Sequence, residues 1–375
     1  MNLEDLRPLL DGMVDGKKLS GSSCVVYYKN EKVFEHSTGY SDWENKIPMN
    51  GDEQYFIYSM TKPITCTAAM QLYEKGKFLL SDPLYEYMPE FKNMMVKTEN
   101  GVEKCDVPIT IEDLFTMSSG LNYDLSTDAI KQAQKDTNGK LTSVDLARAI
   151  AKQPLDFVPK TRWQYSLGHD VIAALVEIIT GERFGEYMRK NIFEPVGMKH
   201  TGFDETKFDI NLFAKQYAYN AETDSLEPRA LRTAYKLGTE HDCGGAGLIS
   251  CVEDYGLFVK TMANNGICDN GERIISRNTM DLMRTNFLDE NRLKDFGDFY
   301  SKYGYGYGLG VRTLIDRVKG GANGSLGEFG WDGAAGSYGL MDPEAGVAIA
   351  YTQHVLGAIP VDMHRRMKSI VYSNI

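Results

Sequence analysis

Gln54-Tyr55-Phe56-Ile57-Tyr58-Ser59-Met60-Thr61-Lys62-Pro63 is where the chain changes its period. Gln54–Tyr58 reads as a strand, rich in aromatic and branched residues. After it Ile64, Ala68 and Leu72 fall on one helical line, Pro63 suits an early helical position, and Gly76 caps a helix over about 61–75. Working back, Ser23–Tyr28 and Lys32–His36 flank Lys29-Asn30-Glu31 as strand, turn and returning strand. Before them, Leu3, Leu6, Leu9, Leu10 and Met13 mark a surface helix over about 2–15.

Working forward, the signals from about 80 to 235 are mostly helical. Thr110-Ile111-Glu112-Asp113 opens one helix as a capping box, and Leu141–Asp145 opens another. Val171–Ile179 is apolar nearly all round and stops at Gly181, the pattern of a buried helix. Residues 126–140 are polar, a loop or an exposed helix. A helix pair follows 245. Then Tyr305–Val311 alternates as a strand, Ser337–Met341 and Val347–Tyr351 flank a turn at Asp342–Gly346, and a last helix covers about 360–372. The expected fold is α/β (α+β): an antiparallel sheet built from both termini, flanked by helices, with a helical lobe inserted. Residues 1–375 form one unit, with a sheet lobe at 1–80 and 235–375 and a helical lobe at 81–234. The site is expected in the cleft between the lobes.

The 375 residues are 42% hydrophobic and 25% charged, a core-forming composition, with a net charge of −11. No basic stripe interrupts the negative field, so nucleic acid and anionic membranes are not expected partners. No run of eighteen apolar residues suggests a membrane span, and the acidic N-terminus lacks the marks of a secretory signal. Six scattered cysteines, none in CxxC pairs, read as reduced thiols and a cytoplasmic location.

No P-loop, HExxH, dinucleotide-binding GxGxxG or GxSxG elbow occurs, and no histidines sit at ligand spacing. Ser59-Met60-Thr61-Lys62 is the only Ser-x-x-Lys. At a helix start, residues three apart share a face, which puts the Lys62 amine beside the Ser59 hydroxyl. A serine is a weak nucleophile until a neighbour takes its proton. A lysine can do so if burial and the helix dipole lower its pKa, and the free N–H groups there can hold an oxyanion. Read alone, the pattern also fits an N-cap serine beside a solvated lysine.

Further segments in order widen the reading. Ser59–Pro63 with Leu80-Ser81-Asp82-Pro83-Leu84, Ile109–Leu121, Tyr165-Ser166-Leu167-Gly168-His169-Asp170, and the glycine-rich Gly244–Ser250 and Gly330–Gly336 together resemble the serine β-lactamase and penicillin-binding-protein superfamily, above all its class C β-lactamase-like esterases. The resemblance implies Ser59 as nucleophile with Lys62 and Tyr165 sharing the proton work, and Ala334 N–H as second oxyanion donor beside that of Ser59. A phenol beside cationic amines can have a lowered pKa and relay a proton. Gly333 is expected to let a substrate backbone approach closely. No metal or organic cofactor is expected.

Departures from the lactamase pattern bear on substrate. Leu167 replaces an asparagine two residues after the tyrosine, Trp331 replaces a cationic residue of the third motif, and Asp332 adds negative charge. These changes weaken recognition of an anionic, amide-bearing substrate and favour a neutral ester. Abundant Tyr, Phe and Met could line its pocket. The expected function is hydrolysis of small carboxylic esters through an acyl-enzyme, with acyl transfer possible. The rivals are a β-lactamase or D-Ala-type peptidase, and a non-catalytic binder of acyl or cell-wall fragments. The partner is thus a small-molecule ester or lactam, and the sequence leaves the oligomeric state open.

Overall fold

The computed structural model describes residues 2–16, 18–300, 303–357 and 361–375. Its centre is an antiparallel eight-stranded sheet. In chain order the strands are β1 (Gly21–Tyr28), β2 (Glu31–Asp42), β3 (Ile47–Pro48), β4 (Tyr305–Tyr307), β5 (Arg312–Leu314), β6 (Phe329–Asp332), β7 (Tyr338–Asp342) and β8 (Val347–Gln353). Their spatial order is β4-β5-β6-β7-β8-β1-β2-β3, so β1 joins the two ends of the chain through its pairing with β8. The β1–β2 turn uses Lys29 and Asn30, both at positive φ (48° and 72°), the conformation that suits the twist of a tight hairpin.

Both faces of the sheet are covered, which explains why β8 is buried along its whole length and β1 along all but its last residue. Cys24, Val26, Ile349 and Tyr351 pack under the helices Leu6–Asp15 and Val361–Tyr372. Val25, Tyr27, Ala348 and Ala350 face the main core, against the helix Val252–Ala263. Pro360, the first residue of the expected C-terminal helix, lies outside the described residues. The helical part is centred on Gly168–Thr180, buried along most of its length and ended by Gly181 at φ 71°. Capping boxes at Thr110 and Thr142 start the helices Ile111–Phe115 and Ser143–Ile150. The polar stretch 126–140 contains the helix Asp128–Asp136, which buries only Ile130.

Three expectations need correction. The alternating run Tyr305–Val311 is not one strand: β4 ends at Tyr307, the chain reverses at Gly308–Gly310 with Gly310 at φ 83°, and β5 returns. The helical part also contains two hairpins, Met95–Thr98 with Gly101–Lys104 and Tyr217–Asn220 with Ser225–Pro228. Their strands are short, mostly exposed in the first hairpin and mostly half-buried in the second, so they carry little period-two burial, and only turn residues such as Asn100-Gly101 announce them. Between Gly245 and β4 the described residues form three helices rather than a pair, Glu290–Tyr300 being the third.

Candidate active site

Ser59 lies in a single 3-10 turn, Tyr58–Met60, between the short strand Tyr55–Phe56 and the helix Thr61–Glu74. The junction is pinned from one direction. The strand pairs with Ile249–Ser250, Ile57 N–H donates to Leu248 C=O, Leu248 N–H donates to Thr61 Oγ1, and Tyr255 O–H donates to Met60 C=O. Tyr58, at φ 48°, makes the sharp bend that turns Ser59 out of the strand while its ring stays buried.

Lys62 follows one turn on. Its Nζ lies 3.2 Å from Ser59 Oγ and donates to Gly245 C=O at 2.7 Å. The residue is 0% exposed, and burial, which disfavours the ammonium, brings its pKa down to about 8 against the opposing pull of Asp170. Tyr165 enters from the segment before the helix Gly168–Thr180, and its hydroxyl donates to Ser59 Oγ at 2.6 Å. Trp331 Nε1–H donates in turn to the Tyr165 oxygen at 3.4 Å. Ser59, Lys62, Tyr165 and Trp331 therefore converge.

Burial pushes the Tyr165 phenol up, outweighing its hydrogen bonds to Ser59 and Trp331. The expected lowered phenol pKa is corrected: burial, which disfavours the phenolate, dominates the direction of the shift.

Ala334 stands in the tight turn between β6 and β7, which closes through Gly333 N–H to Ser337 C=O and Gly336 N–H to Gly333 C=O. Its own N–H has no hydrogen-bond partner among the described residues. Gly333 brings this turn against the nucleophile segment, because a Cβ there would stand 2.6 Å from Ile57 C=O. The close approach that requires glycine is thus made by the protein's own backbone and not by a substrate, as expected from sequence.

Two other candidates point elsewhere. Asp332 alternates with Trp331 along β6, so it faces the opposite side of the sheet. There Arg312 Nη1 donates to it at 2.8 Å, beside a cavity of about 50 Å³ shared with Tyr338, His364 and Lys368. Its charge is spent on a buried arginine. Leu167 is 3% exposed, packs in the main core, and gives its N–H to Asn122 C=O.

Several neighbours escaped the sequence reading. The Tyr123 ring stacks on Tyr165 (5.3 Å between centroids, 4° between planes), and its hydroxyl is 3.5 Å from Lys62 Nζ. Phe299 stacks on the Tyr165 ring at 5.3 Å, and Tyr235 stands edge-on to Tyr123. Tyr123 and Tyr235 are lone aromatics in loops, which give no periodic signal, and Phe299 lies on the helix Glu290–Tyr300. Gly245, within a quoted glycine-rich segment, acts through its carbonyl, which no side-chain pattern reveals.

Asp170, His241 and Cys243 bring one ligand-type atom each within 4.8 Å of one another, all buried. The set does not fit a metal ion. His241 Nδ1 accepts the Leu237 N–H at 3.2 Å, so the ring proton of the neutral imidazole sits on Nε2, the atom facing the cluster.

Among the described residues no helix is long and apolar enough to cross a membrane. All six cysteines are free and buried.

Comparison with known proteins identifies the family. The family model described as Beta-lactamase matches residues 6–369. Protein Rv1367c of Mycobacterium tuberculosis is 31% identical over 362 residues, covering 94% of this chain and 90% of its own. Esterase EstB of Burkholderia gladioli is 25% identical over 361 residues, covering 92% and 88%. Among solved structures, EstCE1, a hydrolase with promiscuous acyltransferase activity, superposes with a TM-score of 0.82 at 24% identity over 99% of this chain and 98% of its own. Simvastatin synthase (LovD) from Aspergillus terreus gives 0.83 at 19% identity over 100% and 99%. At those identities the structures speak to the fold alone, whereas the family match spans almost the whole sequence. The chain belongs to the β-lactamase family, within the superfamily of serine β-lactamases and penicillin-binding proteins, and is a serine hydrolase.

Proposed function

We infer that residues 1–375 act as one catalytic unit that hydrolyses small neutral carboxylic esters through an acyl-enzyme on Ser59, and that an alcohol able to outcompete water receives the acyl group instead. The observation that carries this reading is the meeting at Ser59 Oγ of a buried amine, 3.2 Å away, and a protonated phenol, 2.6 Å away. Tyr165 gives its O–H to Ser59 Oγ. The serine proton is then left for the lone pair of neutral Lys62 Nζ. Lys62 takes that proton as Oγ bonds to the carbonyl carbon. The Ser59 and Ala334 N–H groups receive the developing oxyanion, and losing one such donor typically costs about 10²–10³ in rate. Collapse breaks the bond to the leaving oxygen, which takes back the proton through Tyr165. Water then repeats the two steps and frees the acid.

The preference for neutral substrates rests on Trp331. It occupies the position where the resemblance calls for a cation, and the next candidate, Arg312, is paired with Asp332 on the other face of the sheet. Lys62 touches Ser59, but the chemistry needs it uncharged. Tyr123, Tyr165, Tyr235 and Phe299 surround the serine with apolar surface suited to an ester's flanks. Relatives described as an esterase and as an acyltransferase-competent hydrolase favour the same direction.

Intact-mass analysis after a fluorophosphonate, with parallel assays of a p-nitrophenyl ester, a chromogenic β-lactam and a D-Ala peptide, tests the reading. One adduct, abolished by Ser59→Ala, with the ester turned over fastest, is expected. No adduct sinks catalysis, and faster β-lactam or peptide turnover sinks the ester assignment.

A further inference from the structure

Near Lys62 lies a buried carboxylate that the mechanism above does not use. Asp170 is the third residue of the helix Gly168–Thr180, in the first turn, where the helix dipole favours negative charge. Its Oδ1 accepts the Cys243 S–H at 3.0 Å and the Gly245 N–H at 3.3 Å. Gly245 is the residue whose C=O holds Lys62 Nζ. Oδ2 is buried and without a hydrogen-bond partner among the described residues, and so is Nε2 of His241 nearby. A Cβ on Gly245 would come within 2.6 Å of Oδ2 and 3.2 Å of the Tyr123 oxygen, so this residue packs against the carboxylate and the lysine site together.

We propose that Asp170 is a positioning residue for Lys62: it fixes the Gly245 carbonyl that grips the amine, and it supplies the buried negative charge that governs when the amine carries its proton. This rests on the reading of Lys62 as the proton acceptor. The groups facing Lys62 can be named. From its own turn and helix they are Ser59 and Cys66, from the loops Tyr123, Tyr165, Gly245 and Cys243, and from the helix Gly168–Thr180 His169 and Asp170. Burial holds both thiols and both phenols in their protonated, neutral forms and strips His169 of its proton, bringing it to about 3. Asp170 is the one carboxylate in the set. A carboxylate near a buried amine favours the ammonium, and removing one partner of such a pair is costly.

The test uses Asp170→Asn, which keeps an oxygen for the Gly245 N–H and removes the charge. With the ammonium no longer favoured, Lys62 gives up its proton at lower pH. The acid limb of kcat/KM for a p-nitrophenyl ester is expected to move down by about one pH unit, within the usual range for loss of a neighbouring charge. A limb that stays in place overturns the proposal, because a carboxylate that merely packs does not set it. A second arm needs no turnover: the melting temperature of Asp170→Asn in the wild-type and Lys62→Met backgrounds. Asp170→Asn is expected to cost stability in the first and to cost less, or to stabilise, in the second, where the aspartate has lost its counter-charge. An equal or larger loss in the second background overturns the pairing. If the wild type fails to hydrolyse the ester, the functional reading falls and the melting arm still decides the role of Asp170.

Discussion

Trp331 Nε1 approaches the Tyr165 phenol oxygen at 3.4 Å with the two rings only 13° from parallel. The indole thus meets the tyrosine with one donor and one flat face, and does so without a charge. Removing the donor but keeping a ring, as in Trp331→Phe, costs one hydrogen bond of net worth about 1 kcal/mol. The expected outcome is a fall in kcat/KM for a p-nitrophenyl ester of roughly fivefold to tenfold with little change in melting temperature. Unchanged kinetics would show that the indole N–H has no part in aligning Tyr165.

Ser59→Ala removes the attacking oxygen and Lys62→Met the proton acceptor. Both are expected to lower kcat by at least about 10³, while Tyr165→Phe, which spares the acceptor, loses about 10²–10⁴. Intact mass after ester exposure distinguishes them: Ser59→Ala forms no acyl adduct at any time, whereas the other two form one slowly. A Lys62→Met variant with near-wild-type burst kinetics contradicts the proton assignment.

Burial lowers Lys62 to about 8, and the active form is the free amine. Activity should therefore rise tenfold per pH unit below about 8 and level off above it, so that kcat/KM at pH 6 is about one hundredth of its plateau. Because the Tyr165 phenol is pushed up and stays protonated across this range, Tyr165→Phe should scale the profile without moving its acid limb. A limb near pH 5 would point to a carboxylate base instead.

Gly333→Ala places a methyl 2.6 Å from Ile57 C=O, two residues before the nucleophile. Overpacking of this kind costs about 1–3 kcal/mol. Denaturant unfolding should show that loss, and fluorophosphonate labelling should slow because the turn carrying Ala334 is pushed off the Ser59 segment. A stable variant that labels at the wild-type rate refutes the contact.

Asp332→Asn tests whether this residue meets substrate. With the carboxylate gone, Arg312 stays buried without its partner, a change typically worth about 3–5 kcal/mol. Melting temperature should fall clearly. The ratio of kcat/KM for neutral and anionic esters should not change, since the side chain faces the far side of the sheet. A shift toward anionic esters would put Asp332 back at the site.

The elements that bury a continuous face were legible from sequence: the β1–β2 hairpin, the β7–β8 hairpin, the helix Gly168–Thr180 and both capping boxes follow from local patterns that tertiary packing reinforces. The Ser59–Lys62 spacing was equally legible, because three residues at a helix start fix the geometry. What failed was information the local pattern does not hold. Asp332 was assigned to substrate from its neighbour's motif, although alternation along a strand sends it to the opposite face. Leu167 was read as a pocket residue, although the turn before its helix points it into the core. The state of Tyr165 depended on how deeply it is buried, and spacing alone does not give depth. Tyr123 and Asp170 act through distances across the fold between segments far apart in the chain.

The pairing of Ser22 with Gln353 has a consequence for biosynthesis. β1 is made well before its neighbour β8, so on the ribosome one edge of β1 stays open until β8 has emerged. A nascent chain halted before Val347 holds Ser59, Lys62 and Tyr165 but lacks the strand that joins its two ends. The sheet that backs the acylating centre is therefore closed only once β8 has been made.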